Sequence, residues 1–117
     1  MNDLRNRISL VGNCGQPPVL RFTEKTSVPV TDFTLAVNHG RSDDPEKQPL
    51  WFTVELWNAT AERACEFVQK GARVLVEGRF DHEGWTDRDG KTRCRLMVAD
   101  ASFLVLSKPS DAGDPPA

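Results

Sequence analysis

Apolar and polar residues alternate through most of this 117-residue sequence, and that two-residue period limits its possible folds more than any other feature. Successive side chains of a strand point to opposite faces, so alternation marks a segment with one buried and one exposed face. Five segments show the pattern, near residues 4–12, 30–38, 50–57, 72–81 and 92–106. We expect their buried faces to carry Ile8 and Leu10; Phe33, Leu35 and Val37; Phe52, Val54 and Leu56; Val74, Val76 and Phe80; and Cys94, Leu96 and Val98.

One segment, directly after the third strand, has helical spacing instead. Its apolar residues recur at the i, i+3, i+4 and i+7 positions that form one buried stripe of a helix, namely Ala61, Ala64, Cys65 and Val68. Asn58 suits the N-cap position, and Lys70 with Gly71 suits the C-terminal end. The pattern predicts a single helix between the third and fourth strands.

This order of elements predicts an all-β domain, a five-stranded Greek-key barrel in which the helix plugs one end. A β-sandwich is the alternative, but sandwiches of the immunoglobulin type have about seven strands and rarely contain a helix of this length. The length suits one domain, which we assign to residues 1–107. Residues 39–49 form a long polar loop, and residues 108–117 a Pro-rich tail that we expect to be disordered.

The overall charge does not mark a polycation. Fifteen Lys and Arg residues stand against seventeen Asp and Glu residues, for a net charge of −2. Any polyanionic partner must therefore be held by a local patch. Ten of the fifteen cations are arginines, whose planar side chain suits phosphate contacts and stacking on bases.

The remaining composition bears on compartment and redox state. No apolar run is long enough to span a membrane, and the first residues lack the apolar core of a signal peptide, so we expect a cytoplasmic protein without a membrane partner. Cys14, Cys65 and Cys94 are odd in number and widely spaced, which argues against disulfides and a zinc site. We expect all three to be small buried or half-buried apolar residues.

Two tryptophans occupy the polar face of the third strand. Trp51 and Trp57 are in phase with Thr53 and Glu55, and they lie roughly 20 Å apart at about 3.4 Å per residue. Outward aromatic rings near arginines are typical of proteins that bind single-stranded nucleic acid, because every base offers a π-face and the phosphates attract cations. The same pair would also suit a protein–protein hot spot.

A hairpin follows the fourth strand, with its turn at Asp89–Gly90. Trp85 lies near its tip. The cations on this hairpin and its two strands are further candidates for phosphate contact, namely Arg79, Arg88, Arg93 and Arg95. An ordinary solvated strand face would explain Arg93 and Arg95 equally well.

Catalytic chemistry is not expected. Asp81 and Glu83 lie on one side of an extended segment and His82 on the other, so the three do not converge on a metal or a substrate. His39 stands alone in the polar loop. No phosphate-binding GxxxxGK, nucleophile-elbow GxSxG or zinc-binding HExxH motif is present, and we predict no cofactor and no enzymatic activity.

Four segments occur in a recognisable order: ISLVGNCGQPPVLRFT, FTLAVN, WFTVELWNATAERACEFVQKGARVLVEGRF and WTDRDGKTR. Together they resemble the bacterial single-stranded DNA-binding protein family over residues 6 to about 106. The resemblance implies an OB fold, a homotetramer, and single-stranded DNA wrapped over the outer sheet face during replication, recombination and repair.

The resemblance also implies roles for particular residues. Trp51, Trp57 and Trp85 match three base-stacking aromatics of the family, the middle one being usually Phe. The cations that match family positions near the DNA path are Arg7, Lys70 and Arg93. Arg41 stands where many members have a fourth tryptophan, and it gives less base contact while keeping the ability to stack or to meet a phosphate.

Two further departures from the family pattern affect function. Asp81, His82, Glu83 and Gly84 replace a run that is often basic, which predicts a shallower salt dependence of DNA binding. The sequence ends in DPPA rather than in an acidic tip with Pro-Phe, so recruitment of replication and repair proteins through such a tip is not implied. An alternative function is therefore a primosome-type accessory OB protein that acts mainly by docking to other proteins.

Overall fold

The computed structural model describes residues 5–38 and 48–109. Six strands and one helix follow in chain order: β1 (Ile8–Cys14), β2 (Arg21–Phe22), β3 (Pro29–Val37), β4 (Leu50–Trp57), α1 (Asn58–Phe67), β5 (Arg73–Thr86) and β6 (Thr92–Ser107). The five long strands are the predicted ones, and β2 is a two-residue addition within the short extended piece after β1. Arg41, His39 and the tail from residue 110 onward lie outside the described residues.

The strands form one sheet that closes on itself. Its order is β1-β5-β6-β4-β3-β2, and an additional pairing of β1 with β3 joins the two sides into a barrel. All pairings are antiparallel except that of β4 with β6, which run parallel from Phe52 opposite Leu96 to Val54 opposite Val98. This is the predicted Greek-key barrel, because a parallel contact between strands from different hairpins requires the chain to cross one end of the barrel.

The barrel interior is filled by the apolar faces of the long strands. Val54, Leu56, Val74, Val76 and Val98 have no exposed surface. Phe33, Leu35 and Phe52 complete this core, and Ala61, Ala64 and Val68 of the helical stripe pack against it. Cys65 is half-buried at the edge of that stripe.

The ends of the helix differ from the prediction. Trp57 occupies the N-cap position, and its side chain does not cap the helix. Asn58 is the first helical residue, with φ of 59°, so its predicted capping role is wrong. The helix ends at Phe67, because Val68 turns to extended backbone and buries its side chain. Gly71 instead serves the turn into β5, with φ of 88° and its N–H donated to the Cys14 carbonyl at 2.8 Å.

Two residues predicted for the core lie at the surface. Phe80 is 40% exposed and Cys94 is exposed. Pairing of β5 with β6 shifts register between Glu77 and Arg79, and beyond this irregularity the two strands continue as an arm that leaves the barrel. Both faces of the arm meet solvent at residues 79–86 and 92–95, so alternation there does not indicate burial.

Candidate nucleic-acid interface

Strand β4 divides its side chains as predicted. Phe52, Val54 and Leu56 face the core, while Trp51 and Trp57 point to the outer face of the barrel. Trp51 is 52% exposed. Trp57 is half-buried, so less of its ring is open to solvent than an outward position alone predicts.

The Trp51 ring lies against the backbone of the β1–β2 connection. A Cβ atom added to Gly15 would lie 2.6 Å from Cζ3 of Trp51 and 2.7 Å from Oγ1 of Thr34. Thr34 is itself held in place, since its hydroxyl oxygen accepts a 2.7 Å hydrogen bond from the Gln16 N–H. Only glycine at position 15 allows the indole to rest this close to the barrel wall.

The Trp57 ring is held by a neighbour on its own strand. Its indole Nε1–H donates a 3.0 Å hydrogen bond to Oε1 of Glu55, which precedes it by two residues on the same face. Glu55 lies opposite Asp32 of β3, whose carboxylate pairs with Arg21 at 3.2 Å. This end of the outer face therefore combines an aromatic ring with two carboxylates.

On the β5–β6 arm, an arginine covers part of the third tryptophan. Trp85 is 42% exposed and lies opposite Arg93, while Glu83 lies opposite Arg95. The Arg95 guanidinium stands 5.3 Å from the centre of the Trp85 ring and 3.4 Å from the Glu83 carboxylate. A cation–π contact and an ion pair thus fix the arginine beside the ring.

Asp87 organises the turn of the arm. Its carboxylate accepts hydrogen bonds from the backbone N–H groups of Asp89 and Lys91, both at 3.0 Å, and from the Arg93 side chain at 2.7 Å. The Arg93 hydrogen bond, followed by that from Lys91, holds the pKa of Asp87 below its ordinary value of 3.8. Asp87 is therefore ionised at neutral pH and holds the Arg93 side chain.

Two more candidate arginines are also paired. Arg7 donates to Glu77, which accepts a further 2.9 Å hydrogen bond from Ser9. Arg79 pairs with Asp100 at 2.8 Å, and this contact raises the pKa of its guanidinium. Arg7, Arg79, Arg93 and Arg95 thus each have a carboxylate partner that a phosphate would have to displace.

The other candidate cations differ. Lys70 and Arg88 are exposed, and neither forms an ion pair within residues 5–38 and 48–109. Arg41 lies outside the described part of the chain.

Asp81, His82 and Glu83 occupy successive positions of β5 within the arm. All three are exposed, and Asp81 accepts a 2.7 Å hydrogen bond from the His82 backbone N–H. Among the described residues, no group of three or more His, Cys, Asp or Glu side chains is placed to hold a metal ion. In the same part of the chain, no helix has the length and apolar character needed to cross a membrane.

The sequence that forms this barrel and its arm matches a known family. The model of the Single-strand binding protein family matches residues 5–105. The chain belongs to this family. Single-stranded DNA-binding protein 1 of Synechocystis is 39% identical over 107 residues, covering 91% of this chain and 87% of that protein. Its counterpart of the same name in Nostoc is 41% identical with the same coverage.

A solved structure agrees with the family assignment. The small single-stranded DNA-binding protein from Streptomyces coelicolor is 29% identical, with a TM-score of 0.71 over 90% of this chain and 95% of that one. The OB fold expected from the resemblance is thereby confirmed.

Sequence reasoning missed several residues that shape the surface of this single-strand binding family member. Gly15 has no sequence signal, because its contact with Trp51 depends on the β1–β2 connection bonding to Thr34 of β3, the neighbour of β4. Glu55 could have been noticed, since a carboxylate two residues from a tryptophan on one strand face is within reach of its N–H. The pairing of Asp87 with Arg93 and of Asp100 with Arg79 can be predicted only when the register between β5 and β6 is known.

Proposed function

We propose that this protein binds single-stranded DNA without sequence preference and protects it during replication, recombination and repair. The observation that carries the proposal is the pair of indole rings on the outer face of β4, Trp51 and Trp57, in a member of the Single-strand binding protein family. Bases stack on these rings and on Trp85, and arginines of the arm and of β1 contact phosphates. The names of the relatives from Synechocystis and Nostoc support the same activity.

The geometry favours unpaired strands over duplex. Stacking on an outward indole requires a base whose faces are free, whereas the bases of duplex DNA already stack on one another. The described part of the chain has one helix, α1, and its buried stripe packs on the barrel instead of being presented to a groove. We therefore expect weak binding to duplex.

A fluorescence titration tests the proposal. Adding oligo-dT should quench the tryptophan emission to a saturable end point, and a duplex of equal length should neither quench it nor compete. Unchanged emission at oligonucleotide concentrations that saturate other family members would refute the proposal. We also propose that the protein binds the strand without catalysing a reaction on it. The bound strand should therefore be recovered uncut after prolonged incubation with magnesium.

We also propose that the protein acts as a homo-oligomer, and specifically as a homotetramer. An apolar row crosses the outer faces of three strands away from β4, with Val11 opposite Leu75 and Leu75 opposite Leu104. Leu104 is 58% exposed in the single chain. An exposed apolar row of this kind is typical of a surface that another protein chain covers. Sedimentation equilibrium should give four chains per particle, and Leu104→Glu should reduce that number; a monomeric wild-type protein would contradict this.

Docking to replication and repair proteins is the second candidate function. The observation in its favour is an apolar groove of about 670 Å³ between the end of α1 and the end of β6, lined in part by Phe67, Phe103 and Leu106. Capture of purified replication proteins together with feeble oligo-dT binding would favour this accessory role. A cytoplasmic location stays a prediction under both functions.

A further inference from the structure

Glu55 is an acidic residue on a surface proposed to meet a polyanion. Its carboxylate accepts the Trp57 indole N–H at 3.0 Å, and both side chains are half-buried on the outer face of β4. Two residues of extended strand span about 7 Å, so the carboxylate must lean along the strand to reach the ring. The contact is specific to one edge of the indole and leaves the ring faces for other partners.

The hydrogen bond limits the motion of the ring. An indole N–H is a donor only, and a half-buried one needs an acceptor to replace water. A carboxylate acceptor makes a stronger bond than a neutral one. Trp57 is also the last residue of β4, and Asn58 turns away from the strand with φ of 59°, so β4 provides no neighbour beyond the ring.

Fixing a side chain before binding lowers the entropy lost when the ligand arrives. The charge of Glu55 works in the opposite direction, because it repels the phosphates of a bound strand. The carboxylate on Asp32, directly across on β3, shares this repulsion but pairs with Arg21 and makes no hydrogen bond to the indole. The two residues therefore allow charge and positioning to be separated.

We propose that Glu55 is a positioning residue of the single-strand site, which holds the Trp57 ring in the orientation that stacks on a base. The inference rests on the proposed function and extends it to a residue that does not itself contact a base or a phosphate. It applies to this chain because the ring at position 57 is an indole, whose N–H a phenylalanine lacks.

Three variants test the role. Glu55→Leu removes the acceptor and the charge, Glu55→Gln removes the charge and keeps an oxygen acceptor, and Asp32→Asn removes a charge from the same face without touching the indole. We expect Glu55→Leu to weaken oligo-dT binding about two- to tenfold, the range of one lost hydrogen bond. Glu55→Gln and Asp32→Asn should bind at least as tightly as wild type.

A double-mutant cycle and a spectrum complete the test. In a Trp57→Phe background, Glu55→Leu should no longer weaken binding, because the ring has no N–H to hold. In the amide spectrum of the free protein, the Trp57 indole signal should move in Glu55→Leu and stay near its wild-type position in Glu55→Gln. Circular dichroism melting should confirm that every variant is folded.

Three results would overturn the inference: wild-type affinity in Glu55→Leu, equal weakening in Glu55→Gln and Glu55→Leu, or the same weakening in the Trp57→Phe background. These outcomes differ from failure of the proposed function. If the wild-type protein does not bind oligo-dT, the proposed DNA-binding function is wrong. The indole signal of the free protein still reports whether Glu55 holds the Trp57 ring.

Discussion

Substituting alanine for Gly15 should impair DNA binding through Trp51. The new Cβ atom would stand 2.6 Å from Cζ3 of the indole, whereas carbon atoms in contact normally lie about 3.5–4.0 Å apart. The ring must therefore move by about 1 Å or more. The new methyl group cannot avoid the ring by moving toward Thr34. Its Cβ atom would already lie 2.7 Å from Oγ1 of Thr34, which accepts a hydrogen bond from the Gln16 N–H.

The size of the effect follows from these contacts. Overpacking of this kind costs about 1–3 kcal/mol when the surroundings cannot relax, and an outward indole relaxes by swinging into solvent. This movement preserves most of the free energy of unfolding, but it takes the ring out of the position in which a base stacks on it. Base–aromatic stacking contributes about 1–3 kcal/mol per base, a range measured in single-strand binding proteins themselves. We expect a loss of about 1–2 kcal/mol, or roughly five- to thirtyfold in the dissociation constant for oligo-dT.

The assay is equilibrium titration with fluorescently labelled oligo-dT, accompanied by thermal melting. Gly84→Ala is the matched control, because its Cβ would find only the Arg93 carbonyl oxygen, at an ordinary 3.7 Å. Trp51→Phe supplies the second control, since phenylalanine lacks the outer indole atoms that the new methyl group meets. Wild-type binding by Gly15→Ala, or equal weakening by Gly15→Ala in the wild-type and Trp51→Phe backgrounds, would show that the clash with the indole does not control binding.

Four further predictions concern the stacking ring, the arm and the cysteines. Trp51→Ala should weaken oligo-dT binding by about 1–3 kcal/mol and Trp51→Phe by less, because a smaller ring still stacks; equal losses in a titration would contradict stacking. Asp87→Asn keeps the oxygen that accepts the turn hydrogen bonds and frees Arg93, so the log–log salt dependence of binding should steepen by about 0.7, and an unchanged slope would show that Arg93 meets no phosphate. Alkylation at pH 8 should modify Cys94 and spare Cys14, since burial raises the pKa of the Cys14 thiol to about 11. Because the folded state keeps that thiol neutral, its contribution to stability is complete below the ordinary value of 9.0 and is lost as pH rises toward 11, which melting curves across that range would show.

The sequence alone predicts the barrel well where one face of a strand is buried. The alternation in residues 50–57 correctly separates Val54 and Leu56 in the core from the two tryptophans outside, because every residue of β4 lies within the barrel wall. The same rule fails for Phe80 and Cys94. The β5–β6 arm leaves the barrel after the register shift at Glu77 and Arg79, and an arm without a core beneath it exposes both faces whatever its sequence period.

The helix shows a different limit. Gly71 and Lys70 have the composition of a helix C-terminus, yet α1 ends at Phe67, and Val68 is buried with extended backbone. Local propensity was outweighed by packing that only the closed barrel defines.

The surface chemistry was predictable in kind more than in detail. Outward indoles and neighbouring arginines follow from period and composition. That Arg93 is held by Asp87 and Arg95 by Glu83 depends on which residues face each other across β5 and β6. Those pairs give a physical basis to the shallow salt dependence predicted from the acidic hairpin, because each carboxylate displaced by phosphate takes up a cation from solution.

The indole N–H signals of the protein decide whether bases stack on Trp51 and Trp57, because each tryptophan reports on its own ring. Spectra recorded during titration with oligo-dT should show the Trp51 and Trp57 signals shifting together and saturating at the same oligonucleotide ratio, as bases come to lie on both rings. If the oligonucleotide binds and these two signals stay in place while signals elsewhere on the barrel move, the strand follows another surface and the account is wrong.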